Sequence, residues 1–199
     1  MCRLIRRSYE QRLFTSTQGT FSQRIDDHSF IITPNGMDRN YIEPENLVRI
    51  EYGRKELGKN PSRSVLFHQA VYNKYPDVNS IIITQAPNIM SFAITDAQFD
   101  SRTIPESYIV LRNVQRMPFG STYLETDELV NKLSLESPAV IVDKDCALVI
   151  GDSLMNAFDR LEVLEYSANA LIQAKAVGDV VMIDRNEVEK IHKAFHIEA

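Results

Sequence analysis

The chain has 199 residues, with 22 Lys and Arg against 27 Asp and Glu and a formal net charge of −5. At 44% hydrophobic and 25% charged it has globular proportions, which exclude a disordered tail, a collagen-like repeat and a basic nucleic-acid binder. No apolar run approaches the roughly 20 residues that span a bilayer, and Arg3, Arg6 and Arg7 precede no apolar stretch of the kind a secretory signal needs. Cys2 and Cys146 are too few for a disulfide framework, so the expected compartment is the cytoplasm. Cys146, in the run Cys146-Ala147-Leu148-Val149-Ile150, reads as a small buried hydrophobe rather than a reactive thiol.

In chain order, Cys2 to Phe14 reads as a short helix, broken by the polar stretch Thr15 to Gly19. Thr20 to Ile25 alternates polar and apolar residues, as a half-buried strand does, and Ser29 to Thr33 is its hairpin partner after the Asp26-Asp27 turn. Pro44 to Asn46 suggests a helical turn, Leu47 to Tyr52 a third strand, and Gly53 to Asn60 a polar loop. A helix is expected from Ser62 to about Tyr75, with Leu66, Phe67, Ala70 and Val71 on its apolar stripe. Asn79 to Thr84 is an unbroken apolar run and so a central strand.

A short helix is expected after Pro87, then strands at Ile109 to Leu111 and Val114 to Met117, then a helix capped by Thr126 and running through Leu135. Ala139 to Val142 and Ala147 to Ile150 form a hairpin around Asp143-Lys144-Asp145. Leu154, Ala157, Phe158, Leu161, Leu164, Ala168 and Leu171 keep helical spacing along one long amphipathic helix that Gly178 ends, and Asp184 caps a last helix to about Phe195. The whole is expected to be one α/β domain, a mixed sheet with helices on both faces.

Four segments carry a resemblance. Gly19-Thr20-Phe21-Ser22-Gln23-Arg24, Ile32-Thr33-Pro34-Asn35-Gly36, Pro61-Ser62-Arg63-Ser64 and the stretch from Ile141 through Gly151-Asp152-Ser153-Leu154 occur in the order found in the class II aldolase/adducin family. The segment from Phe67 to Val78 also resembles that family's helix and the loop into its central strand. The resemblance spans about Gly19 to Ala176 and implies a three-layer α/β/α sandwich with a mixed central sheet. It also implies a homo-oligomer, a tetramer, with sites between subunits.

The enzymes that this chain resembles hold zinc through three histidines, with a nearby Glu, and use the metal to polarise a ketose carbonyl. At those positions this sequence departs from the pattern. Ser64 stands in the place of the Glu, Ile83 and Gln85 in the places of His-x-His, and Asp145-Cys146 in the place of His-Gly. Zinc prefers nitrogen and thiolate ligands, so the resemblance implies a cofactor that this donor set is not expected to hold.

The phosphate-binding end is closer to the family pattern. Gly19 and Thr20, Asn35 and Gly36, and Ser62 and Arg63 match the turns that surround a phosphate in relatives, with Arg63 adding a positive charge. The expected protein is therefore a pseudoenzyme with a structural or regulatory role and an anion pocket for a small phosphorylated ligand. The alternative is an active aldehyde lyase or epimerase on a phosphorylated sugar with an altered metal site.

Each residue has a plainer reading. Ser62 suits a helix N-cap, and Asn35-Gly36 suits a turn. Asp143 and Asp145 form either a metal-binding pair or a solvated hairpin tip. His68 sits among apolar neighbours as a core histidine would. His192 and His196 have the i, i+4 spacing of a zinc clamp but lack a third ligand nearby, which favours an exposed helix face. Tyr108, near the place where relatives supply a histidine or a catalytic tyrosine across an interface and aligned here with the histidine, is a weak ligand-contact candidate against a buried ring.

Overall fold

The computed structural model describes residues 1–197. Its centre is an eight-stranded sheet built from β1 (Thr20–Asp26), β2 (Ser29–Ile32), β3 (Val48–Glu51), β4 (Arg54–Lys55), β5 (Ser80–Thr84), β6 (Gln115–Met117), β7 (Ala139–Val142) and β8 (Cys146–Gly151). The strand order is β4-β3-β2-β1-β5-β8-β7-β6. Only β6 and β7 run parallel, so the sheet is mixed as expected.

Side-chain alternation divides the strands between two cores. Phe21, Ile82 and Val149 point to one face, where α1 (Cys2–Glu10), α3 (Pro87–Ala93) and α6 (Leu154–Val177) pack through Ile5, Ile89 and Phe158. Ile81, Ile83 and Leu148 point to the other, covered by α2 (Val65–Lys74) and α5 (Thr126–Lys132) through Phe67, Val71 and Leu129. Every residue of β5, β7 and β8 is buried, which explains their uninterrupted apolar runs. Helices α4 (Pro105–Leu111) and α7 (Arg185–Phe195) complete the set, and Asp184 caps α7 in a capping box with Glu187. Among the described residues no helix is long and apolar enough to cross a membrane.

Several expectations need correction. Ile109 to Leu111 is not a strand: Pro105 and Glu106 start α4 there, and the buried Ser107 Oγ accepts from Ser167 Oγ of α6 at 2.9 Å. Pro at the first turn and an acidic residue beside it outweigh the strand preference of Ile109 and Val110. The stretch Gly53 to Asn60 is not all loop, because Tyr52 (φ 47°) and Gly53 (φ 74°) fold β4 back on β3. Helix α1 stops at Glu10, before Arg12 at φ 61°. Thr126 is the first helical residue of α5 and not its cap, since Glu125 holds the N-cap position without a side-chain bond. Helix α2 begins at Val65, three residues later than expected.

Candidate functional site

Strand directions bring one end of the sheet together. β5 ends at Thr84, which pairs with Ala147 of β8, while Thr20 at the start of β1 pairs with Ile83. Gln85 just past β5 and Asp145 just before β8 therefore flank one sheet end, and Ile83 and Gln85 share a side by strand alternation. From the other side a bridge between Pro34 and Pro61, with Ser62 N–H donating to Thr33 O (2.9 Å) and Asn35 N–H to Asn60 O (2.9 Å), sets Ser62-Arg63-Ser64 beside the turn after β2.

The result is a cavity of about 450 Å³. Its wall holds Gly19, Thr20, Asn35, Ser62, Arg63, Ser64, Ile83, Gln85, Asp145 and Cys146 from the set that the sequence singled out. Gly36 and Tyr108 do not line it. Gly36 is exposed at φ 69°, where its part is the turn. Tyr108 lies on α4, and its hydroxyl is 2.8 Å from His192 Nε2 at a separate cleft.

Ser62 is 8% exposed and is not an N-cap; its Oγ is 2.9 Å from Thr20 Oγ1 and 3.1 Å from Ser64 Oγ. This chain of hydroxyls ties β1 to the approach of α2, and Arg63 extends from it into solvent. Because Ser62 and Arg63 precede the first helical turn, the expected placement of both at a helix N-terminus is corrected: Ser64 occupies the N-cap position, with no side-chain cap bond.

Gly19 is required by its surroundings. Its φ is +93°, and a Cβ there would lie 2.3 Å from the ring of Phe14.

At the sheet end, Asp145 Oδ2 accepts from Thr122 Oγ1 at 2.6 Å, and Tyr123 on the same segment reaches the cavity. Gln85 Oε1 is buried without a partner. Burial, with Asp145 adding to it, pushes the Cys146 thiol well above its ordinary range, so it is no nucleophile. Asp143 does not join Asp145; its Oδ1 pairs with Arg116 Nε at 2.7 Å, at a hairpin tip where Lys144 has φ 55°.

Beyond the cavity, His68 is a core histidine with 0% exposure, its Nδ1 2.6 Å from Ser22 Oγ, and burial alone lowers its pKa to about 3. His192 is committed to Tyr108, and His196 caps α7 in the left-handed region, so the two form no clamp.

Sequence reasoning missed Arg39. It is 2% exposed yet lines the cavity, its Nε donating to Gly19 O (3.0 Å) and its Nη1 to Pro34 O (3.1 Å) and Met37 O (2.8 Å). Its place in the polar turn segment after Gly36 gives no local signal that it folds inward. Thr122 and Tyr123 were missed too, since a loop between Met117 and Thr126 has no periodic signal.

The family model described as Class II Aldolase and Adducin N-terminal domain matches residues 1–172. The chain is 28% identical over 176 residues to the 3-oxo-tetronate 4-phosphate decarboxylase of Haemophilus influenzae, covering 84% of this chain and 83% of that protein. It is 26% identical over 168 residues to the L-fuculose phosphate aldolase of Methanococcus vannielii, covering 83% and 88%. It is also 26% identical over 193 residues to the methylthioribulose-1-phosphate dehydratase of Microcystis aeruginosa, covering 86% and 93%. Among solved structures, YgbL from Escherichia coli superposes with a TM-score of 0.85 at 20% identity, over 96% of this chain and 95% of that one. The L-fuculose 1-phosphate aldolase of Glaciozyma antarctica superposes at 0.82 and 17% identity, over 97% and 78%.

Proposed function

This chain belongs to the class II aldolase and adducin family, and from that premise we propose that its cavity binds a small phosphorylated ligand without zinc-dependent catalysis. The observation that carries this reading is the donor set at the sheet end. Ser64, Ile83, Gln85 and Asp145 line one cavity, where the resemblance places a carboxylate and three imidazoles. Ile83 offers no donor atom. Ser64 and Gln85 offer neutral oxygens, and Ser64 Oγ is already shared with Ser62. Asp145 is the one anionic donor and already accepts from Thr122. Zinc takes nitrogen, thiolate and carboxylate in a tetrahedral set, and these residues do not fit it.

The anion end supports the ligand class. Thr20, Asn35, Ser62 and Arg63 all line the cavity, and the Thr20 and Ser62 hydroxyls lie 2.9 Å apart. Neutral donors and an exposed cation suit the oxygens of a phosphate monoester. The three relatives named above are enzymes whose names specify phosphorylated compounds, which supports the same class here. The protein then acts as a ligand-binding or structural subunit, and a tetramer is the proposed assembly. Elemental analysis after purification without chelator and dialysis is expected to find far less than one zinc per chain. Stoichiometric zinc that survives dialysis would overturn the reading.

A second reading, catalysis on a phosphorylated sugar at an altered site, is favoured by one observation. Asp145 and Gln85, whose Oε1 is buried without a partner, line the same cavity as the proposed anion-binding groups. Turnover of a phosphorylated ketose that Asp145→Asn abolishes without loss of fold would establish it.

A further inference from the structure

A guanidinium that is 2% exposed and has no carboxylate against it is costly unless something compensates its charge. Arg39 is in that position. Its partners are three backbone carbonyls, from Gly19, Pro34 and Met37, and none of its nitrogens is in an ion pair among the described residues. Carbonyl dipoles offset only part of the desolvation, and burial lowers its pKa to about 10, with Asp38 opposing from a distance. The side chain is nonetheless protonated at neutral pH.

The fork is half used. Nε and Nη1 are spent on the carbonyls, while Nη2 donates to no acceptor among the described residues and is not among the buried unpartnered atoms. Arg39 also reaches the wall of the cavity that holds Arg63. The charged residues of that wall are therefore two arginines and Asp145, and Asp145 lies at the sheet end against Thr122.

We propose that Arg39 is a specificity-determining residue, a fixed cation whose Nη2 gives the cavity a second positive charge beside Arg63 and so selects a dianionic oxyanion over a monoanion. This rests on the reading that the cavity takes an anionic ligand. The two arginines differ in kind. Arg63 is exposed, so most of its attraction is screened by water. Arg39 is held by three bonds before any ligand arrives, so it loses little freedom on binding and acts through a drier medium. It also joins the Gly19 turn to the turn after β2, which fixes the spacing of the two backbone segments that meet the anion.

The test uses inorganic phosphate and formate as probes, with affinities from calorimetric titration at constant ionic strength. The native protein is expected to bind phosphate more tightly than formate. Arg39→Gln should weaken phosphate by at least about tenfold, the scale of one lost charge-assisted hydrogen bond, while changing formate much less. Arg39→Lys keeps the charge and loses the fork, and should recover part of the phosphate preference. A purely structural Arg39 would instead lower both affinities together and leave their ratio unchanged. Should Arg39→Gln fail to fold, Arg63→Ala decides the matter: with Arg39 still present, some preference for phosphate must survive. A ratio untouched by Arg39→Gln, or a preference that Arg63→Ala alone abolishes, overturns the role of Arg39 while leaving the anion pocket standing. A native protein that binds neither probe overturns both.

Discussion

His68 makes the stability of this fold depend on pH in a calculable way. The imidazole is fully enclosed on α2, with Nδ1 2.6 Å from Ser22 Oγ, which is itself 2.6 Å from Tyr72 Oη, and with Nε2 lacking a partner. That network fastens α2 to β1, the two elements that carry Ser64 and Thr20 to the cavity. Burial lowers the histidine pKa from 6.5 to about 3. Between those values the unfolded chain takes up a proton that the folded chain refuses. The contribution is therefore fully present above 6.5 and is lost as pH falls toward 3. Two pH units of descent below 6.5 should remove about 3 kcal/mol, a large share of the roughly 5–15 kcal/mol that holds a domain together. The assay is urea unfolding of the native protein and of His68→Leu at a series of pH values. Carboxylates give both proteins the same background, and the native protein should show the steeper loss. Equal slopes for the two would refute the account of His68 as a neutral, enclosed imidazole.

Gly19→Ala should cost about 2–4 kcal/mol by urea unfolding, because Ala at φ +93° is strained and its Cβ meets the Phe14 ring at 2.3 Å; a loss under 1 kcal/mol would contradict the described turn. The combined variant Ser64→Glu, Ile83→His, Gln85→His and Asp145→His should acquire measurable zinc affinity with little turnover, since catalysis also needs hydrogen-bonding partners that orient the ligating histidines and these four substitutions supply none. A folded variant that binds zinc no better than the native chain would mean that these four positions do not converge. Light scattering at micromolar concentration should show a tetramer, and a monomer would contradict the proposed assembly.

Long-period features of this fold could be read directly. Strands β5, β7 and β8 appear in the sequence as bare apolar runs because both of their faces are covered, and α6 keeps helical spacing through Leu154, Ala157, Phe158, Leu161 and Leu164. Local chemistry misled where two signals competed. At Pro105–Leu111 the β-branched Ile109 and Val110 suggested a strand, but the proline start and packing against α6 made a helix. At Ser62 the cap preference of serine was real, yet its hydroxyl is drawn to Thr20 of β1, a partner 42 residues away.

Much of the cavity wall was legible through the family resemblance, whose matched residues meet at one sheet end. Arg39 was not, since nothing local announces that an arginine in a polar turn will fold inward onto three carbonyls. Tyr108 has a partner that the sequence did not announce either. Its place after Ile104-Pro105 invites a ligand role, but within the chain its hydroxyl is taken by His192 of α7. That pairing depends on a helix 84 residues away, which no short motif encodes.

The central claim is that this cavity binds a phosphorylated ligand through its own hydroxyls and arginines, with no metal taking part. Phosphate affinity measured by calorimetry before and after exhaustive treatment with a chelator tests it most directly. The account predicts the same affinity in both states, and no gain when zinc is added back to the treated protein. Loss of phosphate binding on chelation, restored by stoichiometric zinc, would contradict it.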